Sequence, residues 1–246
     1  MEAIYRQQFK ISDIHLDCFG RVRPSVLLYF TQTVSGQHAG LLGAGWDKLA
    51  EKHLFWAILR HHIQISRLPK TGEVITLETW PMPTTRAAFP RATAAYDAQG
   101  QELFRSAAIW VLMNTQTRSM VLPGKSGVVV PGTLRGTELS APVSISPAVL
   151  ENHVSRCVNY TDLDQNSHMN NTRYLDWIDD LLPSSFHQTR TVRELNLCYL
   201  TEATEGQQLD LNWALSEDLC LQVEARRERS DRPDAQERVF AAQLQF

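Results

Sequence analysis

The densest run of polar side chains is Tyr160-Thr161-Asp162-Leu163-Asp164-Gln165-Asn166-Ser167-His168-Met169-Asn170-Asn171, which leads directly into a helical pattern. Asp, Asn and Ser are common in turns and at helix caps, so a loop rich in them can be purely structural. The alternation Asp164, Asn166, His168 points further. In an extended segment these three project from one face, beside the start of the helix. Histidine shuttles protons near neutral pH, asparagine orients a water or a carbonyl, and a neighbouring carboxylate can act as a general base. The helix N-terminus adds free N–H groups for a developing oxyanion.

Part of this run recurs earlier in the chain. Ile14-His15-Leu16-Asp17 matches Thr161-Asp162-Leu163-Asp164, 147 residues on, and at the same offset Leu28 meets Leu175 and Phe30 meets Trp177. Arg67-Leu68-Pro69-Lys70-Thr71-Gly72 lines up with Thr201-Glu202-Ala203-Thr204-Glu205-Gly206 at an offset of 134. Such pairing suggests a duplicated unit. Where the second copy has Asp164, Asn166 and His168, the first has Asp17, Phe19 and Arg21. The acid survives while the Asn and His do not, so an active second copy and a non-catalytic first copy are expected.

The elements that must position these residues are one helix and several strands in each half. Tyr174, Trp177, Ile178 and Leu181 follow the i, i+3, i+4, i+7 pattern, with Asn170 or Asn171 as cap and Pro183 as stop. In the first half Pro24 suits a first-turn position, and Val26, Leu27, Phe30 and Val34 form the apolar face. A second short helix is expected over residues 47–53. Alternation with a period of two marks strands at residues 5–11, 209–215, 219–225 and 240–246. Residues 104–113 are apolar on both faces, as in a central strand. A long antiparallel sheet wrapped around one helix, made twice, satisfies this order. The fold class is therefore α+β.

Eight of the 27 residues from Leu122 to Ala148 are Pro or Gly, against 23 of 246 in the whole chain. This stretch reads as a linker (122–148) between domains at 1–121 and 149–246. The 24 Lys and Arg against 27 Asp and Glu leave a net charge of −3, which excludes a strongly basic nucleic-acid binder. No apolar stretch approaches the roughly 20 residues that span a bilayer. Residues 1–6 lack the basic-then-apolar layout of a signal peptide, so a cytoplasmic protein is expected. Cys18, Cys157, Cys198 and Cys220 lie far apart without metal-ligand spacing, which implies a reducing compartment and no zinc.

Three blocks carry a resemblance. The segment from Asp162 to Tyr174 resembles the active-site segment of the plant and bacterial acyl-acyl carrier protein (acyl-ACP) thioesterases. Arg105 to Arg118 resembles that family's first-domain signature strand and following turn, and Tyr199-Leu200-Thr201-Glu202-Ala203 its strand carrying a catalytic glutamate. The blocks stand in the family's order with similar spacing, and the likeness covers nearly the whole chain. It implies tandem (double) hotdog domains and hydrolysis of the thioester between a fatty acyl chain and carrier-protein phosphopantetheine, with no cofactor. With no leader of the kind the plant members carry, a bacterial member is expected.

By this resemblance Asp164, Asn166, His168 and Glu202 take the catalytic positions. Glu202 is assigned as the base that activates water, Asn166 and His168 as positioning groups and Asp164 as an orienting one, although imidazole and carboxylate can each serve as base. Some members carry a cysteine just after the glutamate; Ala203 here excludes that nucleophile and favours attack by water. No Gly-x-Ser-x-Gly elbow is present. The first copy is expected to bind the acyl chain, with Trp46, Phe55 and Trp56, together with Leu54 and Ile58, as tunnel candidates. An acidic carrier protein needs a local positive surface, for which Arg86, Arg91 and Arg173 are candidates. The alternatives are an acyl-CoA thioesterase and, in another class, a non-catalytic acyl-thioester binding protein. Two tandem copies are compatible with a monomer or a homodimer.

Overall fold

Proline has no N–H to donate, so it is best placed where a helix needs none, in its first turn. Pro24 opens α1 (Pro24–Leu41), which buries Val26, Leu27, Leu28, Phe30 and Val34. Two buried hydroxyls on this face bond back to the helix: Thr31 Oγ1 donates to Leu28 O at 2.8 Å and Ser35 Oγ to Thr31 O at 2.6 Å. The computed structural model describes residues 3–229 and 232–246. The chain falls into two units, Met1–Pro142 and Val143–Phe246.

Unit 1 is an antiparallel sheet in the order β1 (Tyr5–Lys10), β3 (Val74–Pro81), β4 (Phe89–Tyr96), β5 (Glu102–Asn114), β2 (Leu54–Ile65). The short β6 (Met120–Val121) pairs with β5, and α1 packs against β1 and β3. β5 lies between β4 and β2, in the interior of the sheet, as its sequence suggests. The short helix expected over 47–53 forms as α2 (Trp46–Ala50) and stops early, with His53 in a left-handed conformation at φ 55°.

Unit 2 repeats the plan in the order β8 (Glu194–Tyr199), β11 (Arg232–Gln245), β10 (Cys220–Arg229), β9 (Gln208–Leu215), β7 (Asn152–Cys157). Its helix α4 (Arg173–Asp179) is shorter than the sequence pattern implies. Proline disfavours the helical conformation of the residue before it, so Leu182 must leave the helix ahead of Pro183. The exit already shows in i→i−3 bonds from Leu181 N to Ile178 O (3.0 Å) and from Leu182 N to Asp179 O (3.4 Å). A further helix, α5 (Ser184–Thr189), follows. Tyr174 of α4 stacks on Phe240 with ring centroids 4.5 Å apart, tying the helix to its sheet.

The stretch 122–148 is bonded to the units rather than running free. It begins with α3 (Pro123–Ser126). Thr133 N then donates to Pro81 O (2.9 Å), Trp80 Nε1 to Glu138 Oε1 (3.0 Å) and Arg105 Nη1 to Thr137 O (2.6 Å). Gly132 crosses the backbone of Met82 and Pro83 so closely that a Cβ would sit 2.5 Å from Pro83. Beyond Pro142 the partners belong to unit 2: Arg238 Nη2 donates to Ile145 O (3.0 Å) and Ala148 N to Glu224 Oε1 (3.1 Å). No helix among the described residues is long and apolar enough to cross a membrane.

The repeat extends to individual hydrogen bonds. Single 3₁₀ turns at Asp13–His15 and Tyr160–Asp162 precede the isolated bridges Leu16–Val22 and Leu163–Met169. Inside each bridge an Asp backbone N–H donates to the carbonyl four residues on: Asp17 to Arg21 and Asp164 to His168, both at 2.7 Å. The third residue after each Asp is left-handed, Gly20 at φ 74° and Ser167 at φ 61°. Glycine takes this conformation freely, whereas an L side chain there costs on the order of 1 kcal/mol. Ser167→Gly is therefore expected to stabilise the chain by up to about 1 kcal/mol, and Ser167→Val to destabilise it by at least as much. Denaturant unfolding of both variants tests this; equal stabilities would show that the turn holds no strain.

His61 on β2 is buried, with Nε2 2.7 Å from Ser106 Oγ on β5 and Nδ1 without a hydrogen-bond partner. Burial, and less strongly His62, pushes its pKa down from 6.5 to about 3. The native ring stays neutral, while the unfolded chain takes up a proton as the pH falls through 6.5. The unfolded state thus binds more protons between pH 6.5 and about 3, and stability falls with pH across that window. Urea midpoints of the wild type should drop from pH 7 to pH 5, this group supplying up to about 1.4 kcal/mol per pH unit. His61→Gln should flatten that slope, and an unaltered slope would remove His61 from the account.

Candidate functional site

A carboxylate placed two and four residues before backbone N–H groups competes for them and folds the chain back on itself. Asp164 does this. Its Oδ1 accepts the N–H groups of Asn166 (2.8 Å) and His168 (3.3 Å), and its Oδ2 accepts Asn166 Nδ2 (3.3 Å). The segment is a tight turn, which corrects the expectation of an extended strand with three side chains on one face. Asp164 points into the turn and holds the two residues that follow it.

His168 is brought to Glu202, with Nε2 3.3 Å from Oε2. The side chains are 15% and 36% exposed, so the pair is sheltered yet reachable. Glu202 lies just beyond β8, where Leu200 N and Thr201 N both donate to Val239 O (2.9 and 3.1 Å). Met169 N donates to Ala203 O at 2.8 Å and fastens the two loops together. Ala203 is 1% exposed, with its small side chain packed inside. From β10, Arg227 donates through Nη1 to Glu202 O (2.7 Å) and Gln207 Oε1, and through Nε to Glu237 Oε1 (2.8 Å). Arg227 gives no sign of this in the sequence, where it reads as one charge in a strand.

Several N–H groups at the helix start have partners of their own. Met169 N is taken by Ala203 O, Asn170 N by Asp162 O (2.7 Å), Thr172 N by Asn170 Oδ1 (3.0 Å) and Arg173 N by Asn170 O (2.9 Å). These four N–H groups are engaged within the loop. Asn166 and His168 bring side-chain nitrogens to the same loop. At the aligned positions unit 1 has Phe19, Arg21 and Leu68, and Arg21 closes back on Asp17 at 2.9 Å.

The remaining candidates scatter. Unit 1 has a partly open cavity of about 110 Å³ whose walls include Trp56, Phe89, Trp110 and Arg91. Trp56 is one of these walls. Phe55 is buried with Arg118 over its ring, Leu54 packs in a core cluster with Leu49 and Leu112, and Trp46 is 48% exposed on α2. None of these last three is among the cavity walls. Arg91, expected on a docking surface, is only 7% exposed, because β4 lies between β3 and β5; it cannot meet a carrier protein. Arg86 is exposed, and Arg173 is engaged with Thr161 O and Asp176. Cys198 is buried, its Sγ 3.4 Å from Val143 O.

Residues 2–122 match the family described as acyl-ACP thioesterase N-terminal domain, and residues 150–239 the acyl-ACP thioesterase C-terminal domain. The chain is 25% identical over 214 residues to the chloroplastic palmitoyl-acyl carrier protein thioesterase of Arabidopsis thaliana, covering 81% of this chain and 52% of that one. It is 23% identical over 224 residues to the chloroplastic dodecanoyl-[acyl-carrier-protein] hydrolase of Umbellularia californica, covering 82% and 56%. The chain thus spans about half the length of these curated relatives. An acyl-ACP thioesterase from Bacteroides thetaiotaomicron VPI-5482 superposes with a TM-score of 0.87 at 26% identity, covering 99% of this chain and 98% of that one. The 12:0-ACP thioesterase of Umbellularia californica superposes at 0.82 with 20% identity, over 100% and 97%, a likeness of fold. The fold is the tandem hotdog, and with both of its domains matched the chain belongs to the acyl-ACP thioesterase family.

Proposed function

We propose that the chain is a cytoplasmic hydrolase that cleaves the thioester of a fatty acyl group on acyl carrier protein and releases the free fatty acid. The observation that carries this reading is the His168–Glu202 pair, 3.3 Å apart and mounted on a turn built by Asp164. Glu202 takes a proton from water as the water oxygen attacks the thioester carbonyl. A C–O bond forms, the oxyanion is held by Asn166 and His168, and the C–S bond then breaks. The proton passes to the departing phosphopantetheine thiol. Asp164 positions, and no nucleophilic side chain is needed because Ala203 stands where a thiol would be. The second unit does the chemistry, and the first, without the Asn, His and Glu, provides for the acyl chain.

Purified protein with acyl carrier protein carrying one acyl group, compared with coenzyme A carrying the same group, tests the reading. His168→Ala and Glu202→Gln are each expected to lower kcat by about 10²-fold or more, while Arg21→Ala in unit 1 leaves it within about twofold. Wild-type binding without turnover would make the chain a binding protein. A higher kcat/KM on coenzyme A would transfer the assignment to that carrier.

Arg227 tests how Glu202 is held. Arg227→Met is expected to lower kcat about tenfold at nearly constant KM, since a displacement of about 1 Å in a catalytic group costs up to about 10²-fold. Arg227→Lys should restore part of the loss. A change confined to thermal stability would make Arg227 structural only.

A further inference from the structure

The segments that carry His168 and Glu202 are joined at two points. One is the backbone bond from Met169 N to Ala203 O at 2.8 Å. The other is made by a side chain: Tyr199 Oη donates to Asn171 O at 3.2 Å. Tyr199 is the last residue of β8 and stands three residues before Glu202, while Asn171 stands three residues after His168. One hydrogen bond between two segments acts as a hinge, whereas two fix both their separation and their relative rotation. The Tyr199 ring is itself held, its centroid 5.2 Å from that of Phe240 and 5.9 Å from that of Tyr174. Removal from water, reinforced by Tyr174 and Cys198, pushes the phenol pKa well above its ordinary value, so the hydroxyl is a donor at neutral pH.

Unit 1 shows which of these features the fold itself requires. At the offset of 134 that aligns residues 67–72 with 201–206, Tyr199 falls on Ile65, the last residue of β2. The strand exit that follows is the same in both copies. Ser66 N and Arg67 N both donate to Leu103 O (2.9 and 3.0 Å), as Leu200 N and Thr201 N do to Val239 O. At the offset of 147, Asn171 falls on Pro24, where α1 begins. Isoleucine has no hydroxyl to give, so unit 1 makes the same exit and starts its helix without this bond. The Tyr199–Asn171 link therefore goes with the Asn, His and Glu by which the copies differ, and not with the turn and strand exit that they share.

We infer that the Tyr199 hydroxyl is a positioning group for the His168–Glu202 pair: with the Met169–Ala203 bond, its bond to Asn171 O sets the separation and orientation of imidazole and carboxylate. Tyr199 acts through the two segments it joins. Its effect on rate rests on the thioester hydrolysis proposed above; its effect on the geometry of the pair does not.

Tyr199→Phe deletes the hydroxyl and keeps the ring. On the acyl carrier protein thioester its kcat is expected to fall about tenfold with KM within about twofold, as for a small displacement in a catalytic pair. Near-UV circular dichroism should show the native fold. A second readout needs no turnover. A carboxylate close to an imidazole favours the protonated ring, so the His168 titration, followed by NMR in the full chain, should move to lower pH in Tyr199→Phe as Glu202 loosens. Glu202→Gln should move it in the same direction, and adding Tyr199→Phe to Glu202→Gln should move it no further. An unchanged kcat or an unchanged titration in Tyr199→Phe would each overturn the proposal, as would a further shift in the double variant. Loss of the native fold would overturn it too, since the hydroxyl would then be a requirement of the fold. A wild type that turned over no acyl thioester would remove the proposed hydrolysis, while the titrations would still decide the place of Tyr199.

Discussion

A carboxylate that accepts two backbone N–H groups within its own turn underlies both halves of the molecule. In unit 1, Asp17 Oδ1 takes the N–H groups of Phe19 (2.8 Å) and Arg21 (2.9 Å); in unit 2, Asp164 Oδ1 takes those of Asn166 and His168. Burial tends to raise the pKa of Asp17, but the N–H groups of Arg21 and Phe19 and the Arg21 guanidinium outweigh it and hold the carboxyl below its ordinary value. The turn of unit 1 therefore favours the ionised acid. Once it is closed, the side chains two and four residues on are carried in fixed places and are free to be anything. Unit 1 spends them on Phe19 and Arg21; unit 2 presents an amide and an imidazole.

This constraint separates retention from chemistry. The acid common to both copies is the residue the fold requires, so its survival in unit 1 says nothing about catalysis. The residues that differ, Asn166, His168 and Glu202 against Phe19, Arg21 and Leu68, are those that the shared turn does not require. The strained Ser167 is in keeping with this. Where unit 1 relaxes the left-handed position with Gly20, unit 2 keeps a side chain beside the Asn and the His. Local strain of this kind persists only where the surroundings over-determine it.

Much of the fold was legible because period and punctuation act locally. Pro24 and the spacing of Val26, Leu27, Phe30 and Val34 define α1, and alternation marks β1, β9 and β10. The His168–Glu202 pair was legible from family likeness and not from spacing, since 34 residues separate its members. The turn was misread because an alternating Asp-x-Asn-x-His looks like a strand when side-chain capture of the backbone is ignored. Its signal was present in Gly20, a turn glycine aligned with Ser167. Arg227 and Arg91 were not recoverable locally. A lone arginine is by default a surface residue, and only the pairing of β4 between β3 and β5, or of β10 beside β11, turns such a side chain inward.

Two buried charges are held by the fold in different ways. Glu224 of unit 2 is fully buried, and both of its oxygens meet cations: Arg226 Nη2 at 2.7 Å and Arg238 Nη2 at 3.1 Å. It also takes Ala148 N, so its charge is neutralised while it pins the end of the connector. A paired buried charge of this kind is sufficiently explained by the fold it organises. Arg91 reaches His38 of α1 (3.1 Å), Thr79 of β3 (3.3 Å) and, through Thr79, Thr93 (3.1 Å), so it ties the helix to the sheet. No acid among the described residues offsets the burial of its charge. Desolvating a guanidinium without such a return is unfavourable to folding. What the fold gains in return is the link Arg91 makes between the helix and the sheet of unit 1.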